Sequence, residues 1–231
     1  MNRRIARAMR ITGVLAVVLL LAAGCSWFQP KQDKTAAELA SDGMDEYNSG
    51  DFKSAIEYFE KLRDWYPFSK YAILAELKIA DSHYQLEEYE EAIFAYQEFE
   101  NLHPQNEAIP YVVYQIGRSH FDRIDTVDRD QTHAQEALKT FRRLIRQFPD
   151  DPYAKRAEGH IHRCLQSLAG HEFYVGYFYY RSRHYPAALS RFQTVIEEYP
   201  DVGVHYRALR YIARCQKEML VEEDRVGDEE Q

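Results

Sequence analysis

The chain has 231 residues and a formal charge of −8, from 29 Lys and Arg against 37 Asp and Glu. That balance excludes nucleic acid and anionic lipid surfaces as preferred partners. Aromatics make up 14%, with 18 Tyr, while Gly (10) and Pro (8) are scarce; such a composition excludes disorder over most of the chain and suits a packed helical protein.

The first segment is an export signal. Arg3, Arg4, Arg7 and Arg10 precede an almost wholly apolar run from Ile11 to Ala23. The run is about the length of a signal-peptide core and short of the roughly 20 residues that a membrane span needs. Ala22, Ala23 and Gly24 then lead into Cys25. This resembles the bacterial lipobox, although Ala22 stands where Leu is usual; an ordinary secretory signal with a chance cysteine is the alternative. On the lipobox reading, residues 1–24 are removed and a lipid (palmitate among its acyl chains) on Cys25 fastens the chain to a membrane surface without spanning it. Ser26 after the cysteine implies the outer membrane, and residues 25–34 are a lipidated tether. Cleavage takes four arginines and no acid, so the mature charge falls to −12 over about 207 residues.

An internal repeat begins after the tether. Ala55, Phe59 and Pro67 recur in the same spacing as Ala92, Tyr96 and Pro104, then Ala137, Phe141 and Pro149, then Ala188, Phe192 and Pro200. Twelve residues before the alanine stands a small residue in three units, Gly43, Ala80 and Gly176, followed four later by Tyr47, Tyr84 and Tyr180. The frame resembles the tetratricopeptide repeat, a helix-turn-helix unit of roughly 34 residues. A small residue on the first helix and Ala on the second permit close approach, aromatics fill the space beside it, and Pro stops the second helix. One such unit cannot bury its apolar face alone, so stacking builds the core.

In the third unit Gly117 and Phe121 take the small and aromatic places, with eight extra residues in the polar loop "DRIDTVDRDQTH". An additional helix is expected over about 153–169, and a last one over about 204–220. The expected fold class is therefore all-α, a tetratricopeptide-repeat superhelix of about five helix pairs and ten helices, with 35–104 as the N-terminal units and 105–220 as the C-terminal ones. The acidic tail 221–231 is expected to be disordered.

No chemistry of catalysis emerges. The aspartates of the polar loop lack the Gly, the closing Glu and the spacing of an EF-hand. His160 and Cys164 of "HIHRC" share a helix face while His162 points nearly opposite, so no three-ligand metal set forms. His171-Glu172 has no second His after it. Cys164 and Cys215 fall on apolar stripes at spacings of three and four, where a thiol acts as a small core residue; a disulfide is the alternative. Arg207, Arg210, Arg214 and Lys217 form a basic stripe on the last helix. It is either a solvated face or a contact for an acidic surface of another protein.

The blocks "YPFSKYA", "HPQNEAIPYVVYQIG", "DRDQTHAQEALKTFRRLI" and "YYRSRHYPAALSRFQTVIEEYP" follow lipobox Cys25 in order. Together they resemble the BamD family, lipoproteins of the outer-membrane β-barrel assembly machinery, over about residues 35–220. The resemblance implies a non-enzymatic factor without cofactor or metal on the periplasmic face of the outer membrane. Its C-terminal repeats would hold the periplasmic domains of the barrel partner BamA, through Arg191 and the last helix with Arg207, Arg210 and Arg214. Its N-terminal units would receive the C-terminal strand signal of unfolded outer-membrane proteins, near Tyr47, Phe68, Tyr71 and Tyr84. Accessory Bam lipoproteins would be further partners. The alternative is another periplasmic repeat lipoprotein that serves as a scaffold for cell-wall or division machinery.

Overall fold

The structure, a computed structural model, describes residues 34–229. The expected signal 1–24, Cys25 and the tether up to residue 33 lie outside the described residues. Among the described residues there are nine helices and no strand. They are α1 Ala36–Ser49, α2 Phe52–Trp65, α3 Ala72–Gln85, α4 Tyr89–Leu102, α5 Ile109–Phe121, α6 Thr132–Gln147, α7 Pro152–Arg181, α8 Tyr185–Glu198 and α9 His205–Glu229. Each packs on its sequence neighbours, and α7 also touches α5 and α9. None is long and apolar enough to cross a membrane.

The repeat frame decides the packing. Ala55, Ala92, Ala137 and Ala188 are wholly buried, as are the rings of Phe59, Tyr96, Phe141 and Phe192 one turn later. The three phenylalanine rings lie on the glycine of the partner helix. A Cβ on Gly43 would come within 2.7 Å of the Phe59 ring, on Gly117 within 2.5 Å of Phe141, and on Gly176 within 2.9 Å of Phe192. Real carbon contacts do not become that short, so those three positions admit glycine alone without a shift. The second helices α2, α4, α6 and α8 all end two residues before Pro67, Pro104, Pro149 and Pro200. Proline offers no N–H and drives the residue before it out of the helical region.

The turn inside three units is one geometry written with three residues. Gly50, Glu87 and Arg183 occupy it with φ of 88°, 61° and 60°. In each case the next backbone N–H closes back on the helix: Asp51 to Glu46, Glu88 to His83, and His184 to Tyr179. The frame tyrosines then pack edge-on against the first ring of the next helix, in the pairs Tyr47–Phe52, Tyr84–Tyr89 and Tyr180–Tyr185 at 5.3, 5.7 and 5.7 Å.

Two expectations are corrected. The helix expected over about 153–169 and the first helix of the fourth unit are one 30-residue helix, α7. No proline interrupts them, and the helix continues through Gly170, over which Val127 of the polar loop packs, 2.9 Å from where a Cβ would stand. Nine helices thus replace ten. The acidic tail is not disordered as far as Glu229, since α9 continues through it. Its Glu and Arg residues are good helix formers even with no apolar face to bury, and residues 221–225 are all exposed. Cys164 and Cys215 are free and buried, in different core clusters, and burial pushes the Cys164 thiol up to about 12.

Two measurements check this account. Gly117→Ala is expected to lower unfolding free energy by about 1–3 kcal/mol through overpacking, whereas Gly159→Ala, on α7 with nothing near its missing Cβ, should gain up to about 1 kcal/mol of helix propensity. Urea titrations followed by circular dichroism compare them; equal effects would refute the close-approach explanation. Glu87→Gly should stabilise by about 1 kcal/mol, since only glycine takes that φ without penalty, read from the same titration.

Candidate functional site

Of the four residues expected to shape an N-terminal pocket, Tyr47 and Tyr71 share one cluster, Tyr84 packs in the next and Phe68 is exposed. Tyr47 and Tyr71 are half-buried against the first core cluster, with Lys78 Nζ 4.4 Å over the Tyr47 ring. Tyr84 belongs to the next cluster, and its hydroxyl donates to Asp122. Phe68 is 101% exposed, in the turn between α2 and α3. Trp65, Ile73 and Leu74, in and beside the same turn, are exposed large apolar side chains as well.

Sequence reasoning missed a polar centre between α3, α4 and α5. Asp81, only 3% exposed, accepts hydrogen bonds at 2.7 Å from Tyr96 and from Tyr111, and pairs with Lys78 at 2.8 Å. Gln115 donates to Tyr111 at 3.2 Å. Burial, with the Asp81 charge beside them, raises the ionisation of both phenols far above the ordinary range. The network ties α3, α4 and α5 together. One signal was available: the buried frame ring is Phe in three units and Tyr in the second, and a buried tyrosine needs a partner for its hydroxyl.

At the other end lie the arginines. Arg191 on α8 donates to Glu172 of α7 at 2.9 Å. Arg207 lies 4.2 Å over Phe173, Arg214 lies 4.9 Å over Tyr211, and Arg210 reaches Tyr206 at 5.9 Å. All three are exposed, and none has a carboxylate within ion-pair distance among the described residues. Stacking holds the guanidinium planes in place while their N–H groups stay available. No group of three or more His, Cys, Asp or Glu among the described residues is placed to hold a metal. His160 instead stacks on Phe141 at 5.2 Å and shares a 3.1 Å hydrogen bond with Tyr114.

Between the two ends, a cleft of about 600 Å³ opens where the polar loop, α7 and the start of α9 meet.

Residues 32–230 match a family model described as the YfiO outer membrane lipoprotein. The chain belongs to the YfiO family. Membership of this outer membrane lipoprotein family associates it with the outer membrane, and the resemblance read from the sequence blocks is shown. Relatives of this YfiO chain carry the name "Outer membrane protein assembly factor BamD". One from Rickettsia prowazekii is 32% identical over 82% of this chain and 76% of its own length. One from Neisseria meningitidis serogroup A is 30% identical over 75% and 68%. One from Caulobacter vibrioides is 30% identical over 80% of this chain, which spans only 63% of that relative. Among solved structures, the TPR2AB domain of yeast Sti1 in its pHSP90 complex aligns over 84% of this chain and 74% of its own. It does so at 15% identity and a TM-score of 0.46, a likeness too loose to bear on function.

Asp81→Ala should cost about 2–4 kcal/mol, because it leaves two buried hydroxyls and an ammonium without their acceptor. Adding Tyr96→Phe should recover part of that loss. Thermal unfolding of the four species in the double-mutant cycle measures the coupling, and strict additivity would show that Asp81 and Tyr96 act independently.

Proposed function

We propose that this chain is a lipid-anchored scaffold at the periplasmic face of the outer membrane that promotes folding and insertion of outer-membrane proteins without catalysing a reaction. The observation that carries the reading is the family match over residues 32–230, with relatives named as outer membrane protein assembly factors. The geometry supports it in three ways. A rigid array separates two ends, so substrate and partner can be held at once. A lipid on Cys25 would restrict the array to the membrane surface and raise its effective concentration near a membrane-embedded partner. The functional groups available are rings and guanidiniums, which recognise rather than transform.

Within this proposal the partner is a barrel protein like BamA, held by Arg191 and the α9 arginines through carboxylates on its periplasmic domains. Arg191 is the sensitive member. Its pair with Glu172 fixes it at the α7–α8 seam, and a partner must either join that pair or displace it. Unfolded outer-membrane proteins would engage the first two units, with exposed Phe68 the ring available for insertion and Tyr47, Tyr71 and Tyr84 supporting the surface behind it. Accessory Bam lipoproteins complete the expected assembly.

The test is affinity capture of the tagged, lipidated protein from gently solubilised membranes, with co-purifying proteins identified by mass spectrometry. A stoichiometric barrel protein bearing periplasmic domains is expected. Arg191→Glu should reduce its recovery about tenfold or more, because reversal places two carboxylates side by side. Recovery of cell-wall or division proteins without any such barrel would overturn the assembly reading.

A further inference from the structure

The central cleft has the features of a built site. Its outer wall is the inserted loop, which is pinned rather than loose. His171 Nδ1 bonds the Val127 carbonyl at 2.7 Å, Gln131 donates to the carbonyls of Thr126 and Arg129 at 3.1 and 3.0 Å, and Ser167 donates to Gln131 at 2.7 Å. Gly170 lets the loop sit directly on α7. The floor is apolar and aromatic, with Tyr174 and Tyr177 of α7 both substantially exposed. Such a floor inside about 600 Å³ has the size and character of a ligand site.

Charge defines the occupant. A guanidinium stands at each side of the cleft on an aromatic face, Arg163 over Phe121 at 5.1 Å and Arg207 over Phe173 at 4.2 Å. Both are exposed, and neither forms an ion pair among the described residues. The cleft's single acid, Asp125, turns a carboxylate oxygen to the Thr126 amide at 2.7 Å. Two unanswered cations in a strongly acidic protein call for an anionic guest. Arg163 and Phe173 are ten residues apart on α7, a rise of roughly 15 Å. An extended chain advances about 3.3 Å per residue, so carboxylates four residues apart span roughly 13 Å.

We propose that this cleft binds an extended acidic peptide segment of a partner protein, with one aromatic side chain between the α7 tyrosines and the inserted loop and a carboxylate on each flanking guanidinium. The site is distinct from the N-terminal apolar surface and from Arg191; it shares Arg207 with the proposed partner face, whereas Arg163 belongs to the cleft alone, so Arg163→Glu and Arg191→Glu test the two readings separately. The bidentate fork of each arginine matches a carboxylate, and the stacked ring beneath keeps it oriented before the peptide arrives.

The experiment uses the soluble mature chain and a fluorescein-labelled Glu-Gly-Phe-Gly-Glu peptide, read by fluorescence anisotropy. Lys-Gly-Phe-Gly-Lys and Glu-Gly-Gly-Gly-Glu peptides serve as comparisons. The acidic aromatic peptide is expected to bind at least tenfold more tightly than either. Arg163→Glu should weaken it tenfold or more, and so should Gln166→Trp, which fills the cleft without changing charge. Both positions are exposed, and circular dichroism verifies that the variants fold. Equal binding of the basic peptide, or wild-type affinity in both variants, would overturn the proposal. So would saturable, Arg163-dependent binding of phosphatidylglycerol vesicles in place of the peptide.

Discussion

The fold depends on one contact made three times, in which an aromatic ring lies flat against a helix that carries no side chain at that point. Gly43, Gly117 and Gly176 give the room, and Phe59, Phe141 and Phe192 use it. Because the ring fills what would otherwise be the gap between two helices, each unit becomes a rigid hairpin with its remaining apolar face turned to the next. The second unit carries Ala80 and Tyr96 at these places, both wholly buried, and the Tyr96 hydroxyl donates to Asp81. The polar centre is thus a consequence of the packing rule and not an exception to it.

Regularity explains the array, and the departures from it create its surfaces. The eight extra residues of the third unit have no place in the repeat, so they fold over α7 and press Val127 onto Gly170. Under that contact α7 runs unbroken for 30 residues, and the central cleft opens where it meets the loop and the start of α9.

Charge is distributed with the same economy. The chain is acidic overall, and some of its acids are engaged across units, such as Glu100 with Arg143 and Glu90 with Arg123. The arginines lying over rings at the C-terminal end are not answered in this way. A guanidinium stacked on a ring loses little orientation freedom when it meets a carboxylate, so it is suited to recognition more than to stabilising the fold.

Much of this was legible in the sequence. The spacing of Ala55, Phe59 and Pro67 and its three recurrences identified the hairpins, because helix approach and helix termination are local demands that particular residue types must meet. The Cys164 and Cys215 stripes were readable for the same reason. Asp81 was not singled out, since its partners Tyr96 and Tyr111 lie fifteen and thirty residues away and only packing brings them together. The continuity of α7 was hidden in the same manner: Gly170 reads as a stop until Val127 is known to cover it. The separation of Tyr84 from Tyr47 and Tyr71, and the meeting of Arg163 with Arg207 around one cleft, were likewise settled in three dimensions. By itself the sequence determined the repeat, the proline-stopped ends of its second helices and the family, all of which rest on short-range sterics and residue order. The tertiary structure alone decided which side chains share a space, because that depends on how far apart in the chain two contacting surfaces begin.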